Sequence, residues 1–171
     1  LASDAIAADT FVAELAARRI HRVRGTAVFM SRQRDGIPTT LLHNIKHNKV
    51  VHERVVLLSV VTEETPHLSS EERIEWIDLG HGLYRPILHY GFMEDADIPA
   101  TLAAITGPAS FDPMRTSYFL GRETLIPTDE KGMAIWREHL FSWMTQNATT
   151  ASTFFNLPPN QVNELGAQVR L

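Results

Sequence analysis

The densest apolar pattern in the chain runs from Val55 to Val61, where six of seven residues are apolar and the exception is Ser59. Charged residues bound the run on both sides: Glu53 and Arg54 before it, Glu63 and Glu64 after it. A short, valine-rich run without alternation reads as a strand covered on both faces. The rest of the chain must therefore supply two covering layers.

Upstream, residues 3–20 keep an approximate helical period through Ile6, Thr10, Phe11, Ala13, Leu15 and Ala17, with Ser3 or Asp4 as cap. Gly25 opens a short strand over 26–30, and Asp35-Gly36 marks a turn. Pro38 suits the first turn of a helix continuing to His47, with Asn48 as a left-handed stop. Residues 73–78 and 83–92 read as a hairpin through Gly80-His81-Gly82, in which Pro86 marks an edge or a bulge. Asp97 caps a short helix over 99–105, and a strand interrupted by Gly121 covers 118–126. A strong amphipathic helix is expected over 131–147, a short helix over 150–156 and a last strand in the tail over 161–171. The pattern predicts a single α/β domain with a mixed β-sheet flanked by helices.

Composition narrows the function classes. The chain has 171 residues, 44% of them hydrophobic, which is enough for one sizeable core. A net charge of −4 gives no global field for nucleic acid, which is not an expected partner. With no cysteine there is no disulfide framework and no thiolate metal site. No stretch has the roughly 20 apolar residues that span a bilayer, and Asp4 and Asp9 argue against a signal peptide. The first residue is Leu, which reads as a piece of a longer chain.

Candidate chemistry is sparse. His43 and His47 lie four apart on the expected helix, and His52 follows, so three imidazoles are candidate zinc ligands. Lys46 and Lys49 stand among them and no HExxH is present, so the bland reading is a polar helix face. Lys46, Lys49 and Arg122 are possible anion contacts, but neither GxxxxGK[ST] nor GxGxxG accompanies them. There is no GxSxG elbow. No cofactor and no catalytic residue is expected. Arg18, Arg19, Arg22 and Arg24 follow the first helix as a basic cluster, either complementing its dipole or facing an anionic leaflet.

Several stretches together carry a resemblance. GTAVFM at 25–30, LLHNIKHNKVVHERVVLLSVVTEE at 41–64, YGFMED at 90–95, YFLGRETLIP at 118–127 and LPPNQVNELGAQV at 157–169 resemble the C-terminal cytosolic domain of the bacterial Kup (KUP/HAK/KT family) potassium uptake transporters. The resemblance implies a parent with a transmembrane bundle that imports potassium with protons at the inner membrane. Residues 1–24 would be the connector helix after the last span, residues 25–171 the cytosolic domain, and the basic cluster membrane-proximal. It implies a non-catalytic regulatory and assembly role, with the domain's own transmembrane part and a second copy as partners. A nucleotide or cyclic-dinucleotide effector is the alternative, and a small His-cluster metal hydrolase the second alternative.

Overall fold

The structure, a computed structural model, describes residues 8–18, 20–31, 34–105, 112–126 and 151–170. Six strands form one mixed sheet: β1 (His21–Ser31), β2 (Val50–Glu63), β3 (Ile74–Gly80), β4 (Leu83–Gly91), β5 (Thr116–Ile126) and β6 (Val162–Arg170). Their order is β3-β4-β2-β1-β5-β6, parallel throughout except for the antiparallel β3–β4 hairpin. Helices α1 (Ala8–Ala17), α2 (Thr39–Asn48), α3 (Ile98–Ala103) and α4 (Ala151–Phe154) accompany them. The expected helix over 131–147 lies outside the described residues.

The valine-rich run is the sheet's interior. Val55 to Leu58 are each at most 1% exposed, and side chains alternate faces along a strand. Val55 and Leu57 meet Phe29, Leu41 and the α1 residues Phe11, Val12 and Leu15. Val56 and Leu58 meet Leu88, Tyr118 and the α3 residues Ile98 and Leu102. The fold therefore has three layers, with α1 and α2 on one face of the sheet and α3 on the other. Each fully buried Val or Leu contributes about 1.5–3 kcal/mol, which is why this run organises the domain.

Local expectations were met unevenly. The hairpin and the tail strand form as the pattern predicts. Asp97 caps α3, its carboxylate accepting from the Ala100 amide at 2.8 Å. The helix read to residue 20 stops at Ala17, and β1 already begins at His21. Arg22 and Arg24 are thus strand residues. Gly25 lies inside β1, where a register shift between Val23 and Thr26 leaves it at φ +108°. The left-handed stop of α2 is Lys49 at φ 56°, one residue after Asn48. Asn48 instead donates to the Asn44 side chain at 2.7 Å. Pro86 is neither at an edge nor at a bulge: β4 lies between β3 and β2, and Pro86 is paired with Trp76. The β2–β4 pairing skips from Tyr84 to Ile87, so the missing amide falls in a gap of that ladder. β5 runs through Gly121 without a break. The glycine's bare Cα leaves room for α2, since a Cβ there would sit 3.2 Å from Thr40 Cγ2.

Candidate functional site

One group of polar side chains stands at the carboxyl ends of β2 and β4. β4 ends in Tyr90-Gly91, and the chain turns sharply over Phe92, Met93 and Glu94. The turn is held from three sides. The Phe92 and Met93 amides donate to the Thr65 and Pro66 carbonyls at 3.0 and 3.2 Å. The Gly91 amide donates to the Glu94 carboxylate at 2.7 Å. Arg73 brings its guanidinium to both Glu94 oxygens, at 2.7 and 3.3 Å, and lies over the Tyr90 ring at 5.2 Å. The Arg73 hydrogen bond, with that of the Gly91 amide, holds the Glu94 carboxyl well down, at about 2. Burial pushes the Tyr90 phenol up, and the Tyr118 phenol up to about 12. On this braced turn Phe92 and Met93 are 57% and 66% exposed.

Next to it, His89 on β4 sends Nδ1 to Glu63 of β2 at 2.7 Å, and Nε2 lies 4.0 Å from Glu75 of β3. These contacts link three adjacent strands. On the α2 face, Arg85 of β4 is only 7% exposed and donates to the Gly36 carbonyl at 2.6 Å. Its signal in the sequence was a charge inside an otherwise apolar strand, Leu83 to Leu88.

The histidines do not assemble. His43 and His47 meet edge to face, 6.0 Å apart, on the exposed side of α2. His52 belongs to β2, where burial lowers its pKa and leaves Nδ1 without a partner. Among the described residues, no three His, Cys, Asp or Glu side chains are grouped to hold a metal. Lys46 and Lys49 are exposed on and just after α2; the Arg122 side chain lies outside the described residues.

The basic cluster splits in the same way. Arg22 is committed to the fold: its guanidinium donates to the His81, Glu53 and His52 carbonyls at 2.8, 3.1 and 3.4 Å. Arg18 is exposed and lies 3.7 Å from Glu14, Arg24 is exposed on β1, and Arg19 is outside the described residues. No helix among the described residues is long and apolar enough to cross a membrane.

Comparison with known proteins gives this geometry a context. The family model described as K+ potassium transporter C-terminal domain matches residues 24–171. A probable potassium transport system protein Kup of Erythrobacter litoralis is 53% identical over 151 residues, covering 88% of this chain and 24% of that protein. The corresponding protein of Anaeromyxobacter dehalogenans is 49% identical over 169 residues, covering 95% of this chain and 25% of that protein. That of Myxococcus xanthus is 54% identical over 151 residues, covering 88% of this chain and 23% of that protein. The chain thus spans about a quarter of the length of the curated relatives it matches. No solved structure matches it. The chain belongs to the K+ potassium transporter C-terminal domain family.

Proposed function

We propose that this domain is the non-catalytic regulatory and assembly part of a proton-coupled potassium uptake transporter, standing at the cytoplasmic face of the membrane. Its partners in this reading are the transporter's own transmembrane part and a second copy of the domain. The observation that carries the reading is the braced turn. Phe92 and Met93 are large apolar side chains left in water on a backbone fixed by Arg73, Glu94 and two carbonyls. Exposed apolar groups on a rigid support favour contact with another protein surface, because little ordering entropy is lost on docking. Such a contact regulates transport only if it differs between transporter states.

A second copy has two routes. β3 and β6 are the terminal strands of the described sheet, and an unpaired edge can accept a strand. Ile77 of β3 adds an exposed apolar side chain at one of these edges. In the same reading the residues ahead of β1 connect to the last membrane span, and the exposed side chains of Arg18 and, on β1, Arg24 face the anionic leaflet.

The test replaces Phe92 and Met93 together by serine in the full-length transporter. Potassium uptake is expected to change while the isolated domain keeps its melting temperature. Unchanged uptake together with an unchanged oligomeric state would sink the reading.

A further inference from the structure

The amino end of α2 and the guanidinium of Arg85 share one loop, and the reading above uses neither. α2 has ten residues, begins after Pro38, carries no acidic residue in its first turn, and no side chain caps it. Leu41 and Leu42 both reach back to the Pro38 carbonyl, so the Thr39 and Thr40 amides lie ahead of the helical ladder. Amides in that position carry the positive end of the helix dipole. Thr40, in the same turn, is 8% exposed, and its hydroxyl oxygen is buried with no hydrogen-bond partner. Its methyl is the group that meets Gly121 of β5. Burying a hydroxyl unpaired is unfavourable, so a native structure keeps one where something bonds it.

Arg85 adds an independent sign. It is 7% exposed, its fork donates to the Gly36 carbonyl at 2.6 Å, and it forms no ion pair among the described residues. Gly36 stands two residues before Pro38, at most about 7 Å of chain away. A buried cation without a counter-charge is costly, and here the nearby helix end is positive too. The location adds a third sign. β1 has β2 on one side and β5 on the other, so the strand order reverses between β1 and β5. α2 follows β1 and touches β5 through Thr40 and Gly121. Open α/β sheets bind ligands outside the carboxyl ends of their strands at such a reversal.

Helix amides, a hydroxyl and a planar guanidinium are all donors, and together they match a tetrahedral anion with several acceptor oxygens. We propose that the amino end of α2, with Thr40 and Arg85, binds a phosphate-type oxyanion, either inorganic phosphate or the phosphate group of a small ester. The site stands whether or not the domain regulates transport. It also differs from the cations Lys46, Lys49 and Arg122 that the sequence offered.

The test melts the 171-residue chain in rising inorganic phosphate, and separately in phenyl phosphate, against chloride at matched ionic strength. A saturable rise in melting temperature above the chloride control is expected. A rise with inorganic phosphate alone assigns the free ion, and a rise with phenyl phosphate as well assigns an esterified group. Thr40→Val keeps the volume and removes the unpaired hydroxyl. It is expected to melt no lower than the parent without phosphate and to bind phosphate about tenfold more weakly. Arg85→Gln is expected to lose about tenfold or more; should it fail to fold, Thr40→Val carries the test alone. No saturable rise with either probe, or an equal rise in Thr40→Val, overturns the proposal.

Discussion

Arg73 Nη2 and Glu94 Oε1 stand 2.7 Å apart and close the turn that follows β4. The Gly91 amide binds the same carboxylate. Together these donors favour the charged carboxylate and bring its pKa from 4.5 to about 2. A carboxyl with a lowered folded-state pKa stabilises the fold fully above its unfolded value, and that contribution is lost as pH falls toward the folded value. The parent should therefore lose melting temperature between about pH 4.5 and pH 2 more steeply than Glu94→Gln does. Thermal melts of both proteins across this window check it, and parallel curves would contradict it.

Gly91 has no room for a side chain, because a Cβ would run into the Pro66 carbonyl and the backbone beside it. Backbone cannot swing aside as a flexible side chain does. Gly91→Ala should cost at least about 1–3 kcal/mol. Gly166 has nothing within 4 Å of its added Cβ, so Gly166→Ala should stay within about 0.5 kcal/mol of the parent. Urea unfolding of the pair measures both.

Arg22 and Arg18 look alike in the sequence and differ in the fold. Arg22 ties β1 to the His81 carbonyl in the β3–β4 turn and to two carbonyls of β2, whereas the exposed Arg18 side chain stands 3.7 Å from the exposed Glu14 carboxylate. Arg22→Ala should cost about 1 kcal/mol or more, and Arg18→Ala less than about 0.5 kcal/mol. Equal losses in denaturant titrations would contradict the assignment.

Phe29 and Phe119 stack with centroids 4.6 Å apart between β1 and β5. Phe29 is fully buried, and its removal opens a cavity beside Leu41 and Leu57. Phe29→Ala should cost about 3–5 kcal/mol, read as a lower denaturant midpoint at unchanged slope.

The sequence was most legible where one physical signal dominated. The run from Val55 to Val61 became the central strand, with Val55 to Ser59 buried and Val60 and Val61 half-buried, and Gly80-His81-Gly82 joined two patterned strands. Legibility failed where tertiary contacts decide. Gly25 and Gly121 each look like a boundary, yet both lie inside strands, one at a register shift beside the Arg115 carbonyl, the other under Thr40. Pro86 reads as an edge residue until the gap in the β2–β4 ladder is seen. For the site, histidine spacing drew notice to His43, His47 and His52, which belong to two elements and do not converge. The groups that do converge, Arg73 with Glu94, His89 with Glu63, and Arg85 with Gly36, are 21, 26 and 49 residues apart in the chain. Local patterning carries no trace of pairings over such distances.

In the proposed reading this domain couples to a potassium pathway carried elsewhere in the transporter. Its most direct test is rubidium or potassium uptake in cells, comparing the full-length transporter with one truncated before β1, at matched membrane abundance. The account predicts that truncation changes the uptake rate, the oligomeric state, or both. Identical uptake and identical assembly in the two proteins would contradict it.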